Sequence, residues 1–218
     1  NRSKDLAIAI LIGGKSKRFG SDKGIFEYKG KPFVSYQLET LHGFDNDIFL
    51  VANSIDQVQK YINIIEIQKI VAFIIDEKDL SSDDNLRTPI IGLFSAFKEL
   101  NKLGYKKVLA LSCDVPLVKK EVIEYLIRSS RNVDCCIPQW ENGFLEPLCA
   151  IYPTQKALIT AEENIKARNY KLTNLLNKNW KITYISIENS LQPIDEKLLS
   201  FFNINEIVDI KKLRKHEN

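Results

Sequence analysis

Four cations crowd one short loop behind a pair of glycines: Lys15, Lys17, Arg18 and Lys23 follow Gly13-Gly14. Two glycines in series let the main chain turn sharply and bring its N–H groups to a ligand with no Cβ in the way, which is what a phosphate cradle requires. With Gly20 as a second flexible point, such a loop can wrap a polyanion and neutralise it through charge-assisted hydrogen bonds. A Gly-Gly pair alone also fits an ordinary basic surface loop. The second chemical feature is Asp114 in Cys113-Asp114-Val115-Pro116. A carboxylate at the tip of a buried strand is costly unless something pairs with it, and a divalent cation is a good partner. An Asp ahead of a Pro turn can equally cap that turn through nearby amides.

The elements that must position these residues read as alternating strands and helices. Leu6 to Ile12 is an unbroken apolar run, the pattern of a strand covered on both faces of a parallel sheet. Phe33 to Leu41 carries apolar residues at helical spacing, and Asp47 to Ala52 returns to strand character. Ser54 with Gln57 reads as a capping box opening a helix through Tyr61, and Ile70 to Ile75 is a further buried strand. This βαβαβ start implies parallel pairing. Asp76 closes the third strand. Glu77 to Arg87 reads as a mobile polar loop beside the site, because ligands of such sheets bind outside the carboxyl ends of the strands. Thr88-Pro89 starts a helix to about Leu103, with Gly92 permitting close approach, and Lys107 to Ser112 is the strand that delivers Asp114.

Beyond Asp114, the spacing predicts a helix over Glu121 to Ser129, a strand over Val133 to Pro138, and a returning strand over Phe144 to Tyr152. Pro147 suggests an irregular or edge position for the last of these. Pro153 to Lys166 and Lys171 to Leu176 are helical patterns, Trp180 to Ile187 a strand, and the run from Lys211 a frayed, solvated end. Asn203 and Asn205 share one face of an extended segment. Lys166, Arg168 and Lys171 form a basic cluster that would attract an anion.

Composition narrows the class. With 218 residues, 44% apolar and 27% charged, the chain suits one large globular domain rather than a disordered or membrane protein. Its net charge of +3 is too small an excess to argue for nucleic acid, and no stretch approaches the ~20 apolar residues of a membrane span. The four cysteines show no C-x-x-C spacing, so a reducing, cytoplasmic setting is expected. Neither the Walker loop nor the dinucleotide fingerprint fits the opening motif, since five residues separate Gly14 from Gly20 and no Gly-x-Gly-x-x-Gly occurs.

What does match is Leu-x-Gly-Gly-x-Ser-x-Arg-x-Gly-x-Asp-Lys, over Leu11 to Lys23. It resembles the signature loop of nucleotidyltransferases, and among them most closely that of the molybdenum cofactor guanylyltransferases. Cys113-Asp114-Val115-Pro116 is similar to that family's Cys-Asp-x-Pro. Glu146-Pro147-Leu148 resembles its Gln-Pro-Leu, and Phe201 to Asn205 its Phe-x-Asn-Ile-Asn. The chain departs in Ile12, in Arg87-Thr88 where a glycine is usual, and in Glu146.

The resemblance implies a single-domain, Rossmann-like three-layer α/β/α sandwich of the nucleotide-diphospho-sugar transferase type, mainly parallel with one antiparallel strand. Residues 1–114 would form the nucleotide-binding half, 115–210 the acceptor-binding half, and 211–218 a basic tail. It implies transfer of GMP from GTP to the phosphate of molybdopterin or molybdenum cofactor, with Mg²⁺ and release of pyrophosphate. Lys23, Arg18 and Asp114 would be catalytic, with Asp114 the metal ligand. Leu11, Ile12, Gly13, Gly14, Lys23, Asp76 and Asp114 would bind nucleotide, and Glu146, Pro147, Asn203 and Asn205 the acceptor. Other readings of the same residues are a cytidylyl- or sugar-phosphate nucleotidyltransferase and a GTP-binding module without turnover.

Overall fold

The computed structural model describes residues 4–13, 22–77 and 88–217. In chain order the elements are β1 (Leu6–Leu11), the two-residue strands β2 (Glu27–Tyr28) and β3 (Lys31–Pro32), α1 (Phe33–Leu41), β4 (Ile48–Ala52), α2 (Ile55–Ile62), β5 (Ala72–Ile75) and α3 (Pro89–Lys102). There follow β6 (Lys107–Ser112), α4 (Lys120–Ser129), β7 (Cys135–Gln139), β8 (Cys149–Pro153), α5 (Thr154–Lys166), β9 (Ile182–Ser186) and α6 (Ile207–Glu217). Among the described residues, seven strands form one sheet in the order β5-β4-β1-β6-β8-β7-β9, and β2 with β3 makes a separate ribbon. Strand β8 runs antiparallel to both neighbours; the other pairings in the sheet are parallel.

The apolar run of β1 is buried on both faces because it lies at the centre of three layers. Ile8 and Ile10 point into a core shared with α1, α2 and α4, through residues such as Leu38, Tyr61 and Val122. Ala7, Ala9 and Leu11 point the other way, toward Phe94 and Phe97 of α3 and Ala157 and Ala161 of α5. The three-layer sandwich with one antiparallel strand is therefore the fold that the sequence leads one to expect. A third, smaller core gathers Tyr28, Phe33, Ile204, Ile210 and Leu213. It joins the β2–β3 ribbon to the C-terminal segment.

Four local expectations change. Strand β5 has the apolar composition of a buried strand but lies at a sheet edge, with Ala72 and Ile75 exposed. Strand β8 begins at Cys149 rather than Phe144 and occupies an interior slot, not an edge. Its approach, residues 144–148, touches β7 only through a bridge between Gln139 and Leu145, which keeps Pro147 out of the ladder. The helical pattern at Lys171 shortens to a 3-10 turn, Leu172–Leu175. The chain end expected to fray is helix α6, pinned by Ile210 and Leu213, three residues apart on one face.

Residues 195–205 have little regular structure and are held by a buried charge. Asp195 is fully buried; its carboxylate accepts the N–H groups of Ser200 at 2.8 Å and Leu199 at 3.2 Å and pairs with Lys119 Nζ at 3.3 Å. Asp195→Ala would strand those amides, while the half-exposed Lys119 can rehydrate. A loss of about 1–3 kcal/mol is expected, read as a lower urea midpoint at pH 7, with Asp195→Asn retaining part of the stability.

Candidate active site at the ends of β1 and β6

Strands β1, β4 and β5 step in one direction across the sheet and β6 lies on the other side of β1. That reversal opens a crevice at the carboxyl ends of β1 and β6, where ligands of open α/β sheets bind. Cys113 N–H donates to Leu11 O at 3.1 Å, so the two strand exits leave side by side. Asp114 follows at once. Its turn is closed by its own N–H on Ser112 Oγ at 3.2 Å and clamped by Gln37, whose Nε2 donates to Ser112 O at 2.7 Å and Val115 O at 3.0 Å.

The decisive contact spans the chain. Lys23 Nζ lies 3.1 Å from Asp114 Oδ1, 91 residues away, and donates to Asn205 Oδ1 at 2.8 Å, 182 residues away. Both charged groups are partly buried, with side-chain exposures of 14% for Lys23 and 29% for Asp114. Ile204 N–H donates to Asp114 O at 2.9 Å and Ile204 itself is buried. The two-residue alternation then leaves Asn203 and Asn205 exposed on either side of it. The Asp209 carboxylate accepts the N–H groups of Asn205 and Glu206, both at 3.0 Å, and so fixes Asn205 at the start of α6.

Two cavities open at the ends of the strands. One is lined by Leu11, Gly13, Val51, Asn53, Asp76, Thr88, Pro89 and Gly92. Here the first turn of α3 approaches so closely that a Cβ on Gly92 would stand 3.3 Å from Leu11 Cδ2 and 3.4 Å from Asp76 Oδ1. Asp76 N–H donates to Ala52 O at 2.8 Å, and Glu77 N–H to the buried Ser95 Oγ at 3.0 Å, so α3 also fixes the exit of β5. The other cavity, of about 130 Å³, is lined by Asp114, Glu146, Pro147, Ser200, Asn203 and neighbours. Of the residues singled out in the sequence, Leu11, Gly13 and Asp76 thus line one cavity, Asp114, Glu146, Pro147 and Asn203 the other, and Lys23 and Asn205 join the second through their contact with Asp114.

Ile12 does not join them through its side chain, which is buried in the core; its N–H and C=O are taken by Val51 and Gln57. The Gly13 N–H, expected in a phosphate cradle, is also committed, donating to Val51 O at 3.2 Å. Gly14, Lys15, Lys17 and Arg18, and the 78–87 segment, lie outside the described residues. The capping box forms by halves: Ser54 Oγ accepts Gln57 N–H at 3.2 Å, but Gln57 Oε1 takes the N–H of Asn53, one residue before the cap. Gln37 and Tyr61 escaped the motif analysis, and Gln57 entered it only as part of a cap. The available signal was a polar side chain on the apolar face of an amphipathic helix.

This arrangement, a cation and a carboxylate meeting beside a cavity at a sheet switch point, is suited to holding a polyphosphate. A model of the MobA-like NTP transferase domain matches residues 8–179. The chain belongs to that family. As a member it is a nucleotidyltransferase, and its relatives agree along nearly the whole length. It is 35% identical over 212 residues to the probable molybdenum cofactor guanylyltransferase of Pyrococcus horikoshii, covering 94% of this chain and 97% of the relative. It is 30% identical to that of Aquifex aeolicus, covering 96% and 90%. The crystal structure of molybdopterin-guanine dinucleotide biosynthesis protein A from Archaeoglobus fulgidus superposes with a TM-score of 0.76 at 26% identity, covering 96% of this chain and 97% of that one. Among the described residues no helix is long and apolar enough to cross a membrane, and the four cysteines are buried and free.

Glu146 is where this family member carries an acid in place of an amide. Trp140 Nε1–H donates to Glu146 Oε1 at 2.7 Å, yet burial raises the carboxyl above its ordinary range, the Trp140 bond opposing. An acid whose folded pKa exceeds its unfolded one destabilises the folded state once it must ionise. That cost is absent below the unfolded pKa and full above the folded one. Glu146→Gln keeps an acceptor for Trp140 and removes the cost. Its urea midpoint is therefore expected to exceed that of the native chain at pH 8 and to lose the advantage at pH 4.

Proposed function

We propose that this enzyme transfers GMP from GTP to the terminal phosphate of molybdopterin or molybdenum cofactor. The observation that carries the reading is the Lys23–Asp114 pair, whose carboxylate lines one cavity with the residues proposed for the acceptor, while those proposed for the nucleotide line another. The names of the full-length relatives supply the guanine and the pterin.

An oxygen of the acceptor phosphate attacks the α-phosphorus, the α–β bridging bond breaks, and pyrophosphate leaves with the electron pair. A phosphate monoester is already largely ionised near neutral pH, so no general base is needed. Catalysis then rests on alignment and charge. Lys23 turns from Asp114 and Asn205 to the α-phosphate oxygens as charge accumulates there. Asn203 and Pro147 line the cavity from which the acceptor phosphate approaches. Asp76 and the first turn of α3 offer a carboxylate and free N–H groups to the base or ribose. Arg18 is assigned to the leaving β- and γ-phosphates from the motif.

Among the described residues no three His, Cys, Asp or Glu cluster together as a metal cage. One partly exposed carboxylate is nonetheless what Mg²⁺ takes when substrate phosphates provide the remaining oxygens. Asp114 fits that role, and the ion, when bound, would neutralise phosphate charge in the transition state. In its absence Lys23 satisfies the same carboxylate.

The test is pyrophosphate release with molybdopterin, Mg²⁺ and each of the four triphosphates. GTP is expected to be preferred; preference for CTP, or turnover only with a sugar phosphate, would move the enzyme to another branch of the superfamily. Lys23→Ala is expected to lower kcat roughly a hundredfold. Asp114→Asn should abolish Mg²⁺-dependent turnover while GTP still binds. Tight GTP binding without product from the native chain would favour a non-catalytic module.

A further inference from the structure

Lys23 is preceded by a carboxylate that is itself immobilised. Asp22 Oδ1 accepts the Tyr61 hydroxyl at 2.6 Å and the Gly24 N–H at 3.2 Å, and Oδ2 accepts Gln57 Nε2 at 2.5 Å. Tyr61 is fully buried and Gln57 nearly so. The rest of the Gln57 amide is spoken for: Nε2 also donates to Ile12 O at 2.9 Å, and Oε1 accepts Asn53 N–H at 2.9 Å. One side chain of α2 thereby ties the ends of β1 and β4 to the residue before Lys23. A second observation points the same way. A Cβ on Gly24 would fall 2.0 Å from the Tyr61 hydroxyl oxygen, so the backbone just after Lys23 is laid directly on that group.

We infer that Tyr61 and Gln57 are positioning residues: through Asp22 they hold the backbone at 22–24 so that the Lys23 ammonium is presented to Asp114 and to the reacting phosphate. The inference rests on Lys23 being the cation at the α-phosphate. A lysine is a point charge on a flexible four-carbon stem, so its aim depends on where its Cα is fixed. The aim matters because a misplacement of about 1 Å can cost a hundredfold in rate. Burial, with the nearby Asp22 carboxylate, pushes the Tyr61 hydroxyl far up, so it remains a donor across the working pH range. Neither residue reaches the crevice; each acts only through what it holds.

The experiment compares Tyr61→Phe, Lys23→Ala and the double variant. Tyr61→Phe is expected to lower kcat about tenfold with KM for GTP within about twofold of native, and to cost little further in the Lys23→Ala background. The same fractional loss in both backgrounds would mean that the tyrosine merely stabilises the fold, and would overturn the inference. A readout independent of turnover uses trinitrobenzenesulfonate on the nucleotide-free protein, with labelling of Lys23 followed by peptide mass spectrometry. Labelling is expected to run several-fold faster in Tyr61→Phe, and an unchanged rate would sink the proposal. Gly24→Ala retains every functional group yet displaces the hydroxyl, and should reproduce both effects even if Tyr61→Phe folds poorly. Should the native chain release pyrophosphate from no triphosphate, the functional assignment falls while the labelling result still decides this one.

Discussion

Holding an ammonium against a carboxylate across 91 residues of sequence is the constraint on which the rest of the structure depends. An exposed Lys–Asp pair is worth little on its own, because ordering a long side chain costs about what the contact returns. Lys23 and Asp114 can therefore stay together only because each backbone is fixed by other means. Asp114 is placed by the parallel pairing of β6 with β1 and by the Gln37 clamp on its turn. Lys23 is placed by the Asp22 network and by the small core under the β2–β3 ribbon. The site inherits its precision from these supports.

The same logic explains why buried amides recur next to the crevice. A parallel strand leaves the sheet with backbone groups that the ladder no longer satisfies, and these strand ends are closed over by helices, where water is scarce. Gln37 spends its Nε2 on two distant carbonyls, its buried Oε1 finding no partner among the described residues, whereas Gln57 uses both its donor and its acceptor. A buried amide satisfied in this way adds specificity as well as stability, since any slip of one strand would leave it unpaired. Asp195 does the corresponding work for the segment that brings Ser200, Phe201 and Asn203 to the acceptor-side cavity.

Two departures from a generic phosphate loop bear on chemistry. The Gly13 amide is used by Val51 and is therefore not free to cradle a phosphate. Glu146 places a second carboxyl in the cavity that also holds Asp114. That acid, held by Trp140, lines the cavity with a carboxyl where an amide would offer both a donor and an acceptor.

The chain by itself determined the central strand, the acidic tip of β6 and the alternation of strands with helices. Those features are encoded in short runs. It also placed Asn203 and Asn205 on one face, because strand alternation is a local property. Only the tertiary structure decided which neighbours those pieces acquire. β5 and β8 carry similar apolar signals, yet one became an edge and the other an interior strand, since sheet order depends on pairings that no window of sequence contains. The roles of Gln37, Gln57 and Tyr61 were equally hidden, because a buried polar group is explained only by the distant atom that satisfies it. The end of the chain became a helix rather than a frayed tail because Ile210 and Leu213 found a core built largely from residues 26–36, far back in the chain.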